Sequence, residues 1–166
     1  MPAFLEEISI RGYKSIRELQ SFKMLEGLNV LIGANGSGKT NFIRFFELLG
    51  NIIDPNKGLQ NYVRARGGAD ALLFRGMKVT PTLSASLKIA RNSYNFTLKA
   101  ADDRSLFFEK EAAPFDGPMY GVTSNNFGGG HLESKLVQRD SPSASELWIR
   151  TTLARWRVHH FHDTSP

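Results

Sequence analysis

Cysteine is absent from all 166 residues. That excludes disulfides and thiolate metal sites, and agrees with a reducing cytoplasm. Long apolar runs are missing as well: no stretch approaches the ~18 uninterrupted apolar residues a membrane span needs. The N-terminus, Met-Pro-Ala-Phe-Leu-Glu-Glu, carries acids where a signal peptide would be basic. Together these absences predict a cytoplasmic protein with no membrane partner. No internal repeat is visible.

What is present is ordinary globular composition, 41% hydrophobic and 22% charged, enough for one compact domain and not for two large ones. The net charge of +5 suits a polyanionic partner, although nucleotide phosphates alone would favour a basic surface. Arg64, Arg66 and Arg75 lie near one another in the sequence. They read either as a solvated basic face or as a nucleic-acid contact.

Phe4 to Ile10 alternates as a strand does, the turn-like stretch Arg11 to Ser15 follows, and a second short strand is predicted around Leu19 to Leu25. Leu28 to Ile32 is a short apolar run between Gly27 and Gly33, the pattern of a fully buried parallel strand. Thr40 to Leu49 is dense in Phe, Ile and Leu and predicts a helix buried on more than one face, stopping at Gly50. Gln60 to Arg66 predicts a short helix ending at Gly67–Gly68. From Thr82 to Glu111 the period becomes two, broken at Asn92–Ser93 and Asp102–Asp103, which predicts a three-stranded antiparallel meander. Gly117 to Gly130, rich in Gly, Ser and Asn, reads as a long loop. Ser143 and Glu146 form a capping box opening a helix to about Trp156, and Val158 to Phe161 reads as a last strand. The expected organisation is a single unit over 1–166: strands, glycine loop and helix in 1–58, the meander in 79–112, and a helix and strand in 143–166.

Gly33, Ala34, Asn35, Gly36, Ser37, Gly38, Lys39 and Thr40 match G-x-x-x-x-G-K-[ST] at every fixed position. Glycines let the backbone curl so that successive N–H groups point at one anion. Lys39 reaches for the β- and γ-phosphates as a point charge, Thr40 offers its hydroxyl to Mg²⁺, and the following helix adds its N-terminal dipole. The motif sits between a buried-strand pattern and a buried-helix pattern, the context that supports a phosphate-binding loop. The ligands it predicts are ATP and Mg²⁺.

Ile8 to Ile16 followed by Leu28 to Asn41 (LNVLIGANGSGKTN) resembles the opening of the SMC/RecF-like branch of ABC-type ATPases, and of AAA-family ATPases of DNA repair and anti-phage defence, including overcoming-lysogenisation-defect nucleases. The Gly12-Tyr13-Lys14-Ser15 turn and the Asn35 to Lys39 core carry the resemblance, and Trp156 to Phe161 is similar less specifically. It implies an α/β fold, the N-terminal part of an ABC-type ATPase head with an antiparallel β-meander subdomain. It also implies Asn35 near the γ-phosphate, Asn41 in the binding segment, a homodimer of heads closed by ATP, and DNA or an effector nuclease as partner. Lys14 or Ser15 could approach the nucleotide from the turn; read without the resemblance, they simply shape an exposed turn.

Parts needed for hydrolysis are not legible. A Walker B element is an apolar strand ending in an acid that organises Mg²⁺. Leu106 to Glu109 is too short and lies in the meander, and Val158 to Asp163 holds three histidines. Phe127-Gly128-Gly129-Gly130 lacks the serine of an ABC signature. In the family these elements lie in a C-terminal half, so the chain reads as the N-terminal half of a head. His159, His160, His162 and Asp163 suggest either a metal site or a strand end. Three functions therefore remain open: an ABC-type ATPase completed by further elements, a non-catalytic nucleotide-binding regulatory module, and a small kinase. The meander directly after the loop helix argues against the βαβ order of the last.

Overall fold

A computed structural model describes residues 4–118 and 121–159. Its centre is a six-stranded sheet of order β2-β1-β3-β4-β5-β6. The strands are β1 (Glu7–Tyr13), β2 (Ile16–Lys23), β3 (Thr82–Ile89), β4 (Asn92–Ala100), β5 (Leu106–Gly117) and β6 (Gly121–Gly128). Every pairing in the sheet is antiparallel. The expected meander is β3-β4-β5, and β1 pairs with β3, so it continues into the N-terminal hairpin as one sheet.

Alternation builds two unlike faces. Ile8, Ile10, Leu83, Ala85, Leu87, Tyr94, Phe96, Leu98 and Phe108 are buried on one, while Ser9, Ser84, Ser86, Asn95 and Thr97 pave part of the other. The helices α1 (Lys39–Ile53), α2 (Leu59–Ala65), α3 (Ala69–Leu72), α4 (Lys135–Gln138) and α5 (Ala144–Ala154) complete the fold. α1 buries Phe42, Phe45, Leu48, Leu49, Ile52 and Ile53. The Phe45 ring meets Tyr13 edge-on at 5.4 Å and stacks on Phe96 at 6.5 Å. α5 packs on α1, β4 and β5, and opens with the expected capping box: Ser143 accepts from the Glu146 N–H while Glu146 accepts from the Ser143 N–H.

Several expectations are corrected. Leu28 to Ile32 forms no strand: Leu28 is 89% exposed, Val30 68% and Ile32 91%. A parallel strand owes its burial to neighbours on both edges and cover on both faces, and the run pairs with none of the described strands. α1 runs through Gly50 to Ile53. Burying Ile52 and Ile53, worth ~1.5–3 kcal/mol each, outweighs the ~1 kcal/mol cost of a helical glycine, and Asp54, extended before Pro55, is what stops the helix. Gly117 to Gly130 is not a loop, since β6 pairs along β5 and buries Phe127; an edge strand needs little apolar patterning because backbone bonds hold it. β1 reaches Tyr13 and β2 starts at Ile16, leaving only Lys14 and Ser15 as the turn. Gly12 permits this: at φ 78° it lies so close to the Thr82 carbonyl oxygen that a Cβ would collide with it. Val158 and His159 lie in no strand, and the rest of that expected strand falls outside the described residues.

Candidate functional site

The glycine loop turns tightly on itself, with the Ser37 N–H donating to the Ala34 carbonyl at 3.2 Å. Gly36 (φ 82°) and Gly38 (φ 95°) hold left-handed conformations that only glycine adopts at little cost. α1 starts at Lys39 with Gly38 as its N-cap, and no side chain caps it. The free N–H groups of its first turn therefore remain available, together with the positive end of the helix dipole. The Lys39 ammonium is folded over the loop, donating to the Gly33 and Ala34 carbonyls at 2.5 and 2.7 Å and to Ser37 Oγ at 3.3 Å. It has no carboxylate partner among the described residues, so an incoming anion has only two carbonyls and a hydroxyl to displace.

The expected set thus stands together at one helix end: Gly33, Ala34, Asn35, Gly36, Ser37 and Thr40 exposed, Gly38, Lys39 and Asn41 half-buried. Asn41 Nδ2 donates to Ser15 Oγ at 2.8 Å, and the same hydroxyl lies within contact range of Gly38. The β1–β2 turn is therefore pinned against the loop. Between them opens a cleft of about 430 Å³ lined by Ser15, Arg17, Phe22, Ser37 and Lys39, with Glu18 as its carboxylate. Of the two turn residues, only Ser15 meets the loop. Lys14 turns the other way, donating to the Ala71 carbonyl at 3.3 Å above the Tyr13 ring. Burial first, then Arg44 and Arg66, pull its pKa below the ordinary lysine value.

The remaining candidates are dispersed. Glu109 pairs with Lys99 at 3.1 Å, away from the loop cleft. Gly129, of the Phe127 to Gly130 run, is pressed on the Glu109 carbonyl. His159 is exposed; His160, His162 and Asp163 lie outside the described residues, among which no cluster of His, Cys, Asp and Glu could hold a metal.

One polar centre escaped the sequence. Glu111, buried on β5, accepts from Tyr94 Oη (2.6 Å), Ser134 Oγ (2.5 Å) and the Lys135 N–H (2.9 Å), and meets His131 Nε2 at 2.8 Å. A register shift between Thr97 and Leu98 in the β4–β5 pairing turns this acid inward. Nothing in a period-two reading signals such a bulge.

Residues 28–146 match the family described as "AAA domain, putative AbiEii toxin, Type IV TA system". The chain is also similar to the chromosome partition protein Smc of Desulfitobacterium hafniense, 44% identical over 41 residues, a quarter (25%) of this chain. It is 30% identical over 90 residues, 54% of this chain, to the DNA replication and repair protein RecF of Renibacterium salmoninarum. These matches span 3% of the Smc protein and 22% of the RecF protein.

Proposed function

The chain belongs to that AAA-domain family, and from this we propose that it binds ATP with Mg²⁺ at Gly33 to Asn41 as part of an ABC-type ATPase head. The observation that carries the reading is the union, in one loop, of paired left-handed glycines, an uncapped helix N-terminus and an ammonium held only by loop oxygens. Backbone N–H groups from Gly36 to Thr40 would cradle the phosphates, with Asn35 beside the terminal one. Lys39 would exchange its carbonyl partners for phosphate oxygens, and the Thr40 hydroxyl would ligate the metal. Asn41, held by Ser15, fixes the hairpin against this cradle.

The exposed Leu28, Val30 and Ile32 support the ABC-type head. In that fold the run is a strand of a parallel sheet, and segment 1–58 with its loop stands beside the meander of 79–112 and the helical part of 143–166. Hydrolysis would need acids supplied by C-terminal elements: Glu18, the carboxylate of the loop cleft, accepts from Gln20 at 2.8 Å and lies on the hairpin rather than at the end of a strand beside the loop. By analogy with what the names of RecF and Smc describe, DNA replication and repair and chromosome partition, the head would act on DNA; the family resemblance adds anti-phage defence to repair as its setting. It would work as an ATP-closed dimer and with DNA or an effector nuclease as partner, in the cytoplasm.

Titration calorimetry with Mg-ATP on the wild type and on Lys39→Ala, with phosphate release followed on the same samples, tests the site. Losing a charge-assisted phosphate contact worth ~1.5–3 kcal/mol should weaken binding roughly 10- to 100-fold. Unchanged affinity in Lys39→Ala sinks the assignment. The placement of Glu18 gives one specific ground for a second reading, a nucleotide-binding regulatory module; binding with no phosphate release above the Lys39→Ala background would favour it.

A further inference from the structure

Cations gather at the end of the sheet that carries the phosphate loop. Antiparallel pairing brings the β1–β2 turn, the start of β3 and the β4–β5 turn to that end. The segment joining α2, α3 and β3 is laid across it. The Ala69 N–H donates to the Arg104 carbonyl at 2.8 Å, the Lys14 N–H to the Leu72 carbonyl at 2.8 Å, and the Phe74 N–H to the Gly12 carbonyl at 3.0 Å. These bonds bring the backbones bearing Arg64, Arg66 and Arg75 to the rim that already holds Lys14 and Arg104. Arg44 reaches the rim from α1, near enough to Lys14 to oppose its charge.

The acids at this rim are mostly committed. Glu47 pairs with Arg66 at 2.8 Å, Asp70 accepts from the Met77 N–H at 2.9 Å, and Asp103 from the Ser105 N–H at 2.9 Å; Asp102 remains. Among the described residues, Arg64, Arg75 and Arg104 enter no ion pair. Arg64 and Arg104 line a cleft of about 470 Å³ together with Gly67, Gly68, Ser105 and Asp103, whose carboxylate is the cleft's one acid and accepts from the Ser105 N–H. Neither guanidinium is held by an ion pair, and two of them against the one acid of the cleft leave it net positive. An external anion offsets that charge.

We propose that this rim binds the phosphate backbone of a nucleic-acid duplex, with Arg64 and Arg104 holding it in their cleft and Lys14 and Arg44 carrying the contact toward the phosphate loop. Arginine's planar fork suits a phosphodiester, which it binds through two parallel hydrogen bonds. A concave cleft admits a strand and refuses a flat lipid surface. This deepens the DNA-acting reading above, and rests on it for the choice of nucleic acid among polyanions.

The test is fluorescence anisotropy of a labelled mixed-sequence DNA duplex across a salt series, with the full chain. The proteins compared are the wild type, Arg64→Ala/Arg104→Ala, and Arg91→Ala, whose exposed side chain lies in the β3–β4 turn at the opposite end of the sheet. The double variant should bind at least roughly tenfold more weakly at low salt and lose about 2 from the slope of log affinity against log salt, while Arg91→Ala tracks the wild type. No duplex binding by the wild type overturns the proposal. So does an unchanged double variant, or an equal loss in Arg91→Ala. Anionic vesicles held through Arg64 and Arg104 in place of duplex would name a membrane instead and overturn it too. Mg-ATP calorimetry on the same samples separates the two sites. Protein that binds duplex but not ATP sinks the loop assignment alone, and protein that binds ATP but not duplex sinks the rim alone.

Discussion

Removing the Glu111 carboxylate is the severest single change the structure offers away from the phosphate loop. Its side chain is 0% exposed, and its oxygens serve Tyr94, Ser134, His131 and the Lys135 backbone. In Glu111→Ala the Tyr94 and Ser134 hydroxyls, 3.3 Å apart, can still serve each other. The Lys135 N–H and His131 Nε2 cannot be rescued in that way, and His131 Nδ1 is already buried without a partner. Each stranded buried group costs ~1–3 kcal/mol. With the emptied volume, the expected loss is about 3–5 kcal/mol, the range for breaking a buried charged network. Glu111→Gln keeps the shape but aims an NH₂ at donors, for about 2 kcal/mol; Tyr94→Phe leaves the carboxylate its other partners and costs about 1 kcal/mol. Against a total stability of ~5–15 kcal/mol, the alanine variant should be close to unfolding.

The damage should also spread. His131 and Ser134 flank Glu133, whose carboxylate accepts the Leu59 and Gln60 N–H groups at 2.6 and 3.0 Å at the start of α2, the helix that carries Arg64. Urea unfolding followed by tryptophan fluorescence ranks the three variants, provided the slope against denaturant is unchanged. A Glu111→Ala loss below ~1 kcal/mol, or a Tyr94→Phe loss larger than it, would refute the account.

Gly12→Ala should lose about 3 kcal/mol or more, because a left-handed alanine costs ~1–2 kcal/mol and its Cβ collides with the Thr82 carbonyl; a thermal melt within error of wild type would contradict that. Ser143→Ala removes the hydroxyl that caps α5 and should cost about 1 kcal/mol, read from the urea midpoint. Asp54 is held below its ordinary pKa of 3.8, chiefly by the Asn56 N–H and further by Lys57. A depressed carboxylate stabilises the fold above the unfolded value and ceases to do so as pH falls through the lower folded one. Asp54→Asn should therefore lower stability somewhat at neutral pH, converge on the wild type in acid and shallow the acid limb between; identical curves would exclude the contribution.

What was legible in the sequence was what local physics decides. Alternation through Leu83, Ala85 and Leu87 fixes a strand whatever its neighbours, Ser143 and Glu146 cap a helix by themselves, and the motif from Gly33 to Thr40 names its own ligand class. What stayed hidden depends on distant partners. The inward turn of Glu111 needs a bulge set by β4, and the close approach of Gly12 needs Thr82. The opposed directions of Lys14 and Ser15 need α1 on one side and α3 on the other. Edge strand β6 lay unseen because Gly, Ser and Asn can pair through backbone alone.

The run from Leu28 to Ile32 shows the same distinction where it matters for the nucleotide. Each of Leu28, Val30 and Ile32 would gain ~1.5–3 kcal/mol on full burial, and each is mostly exposed. The phosphate loop is consequently anchored mainly from behind. Behind it, α1 is locked by Phe42, Phe45 and Leu48, and Ser15 holds Asn41; ahead of it, Gly33 follows a segment that pairs with no strand and reaches the core through Leu31 alone. An anion cradle works by pre-organisation, since every N–H that must be ordered on binding subtracts from affinity. In the proposed head, a strand docking along 28–32 would order Gly33 and Ala34, whose carbonyls now hold Lys39. It would thereby tighten nucleotide binding without touching the nucleotide.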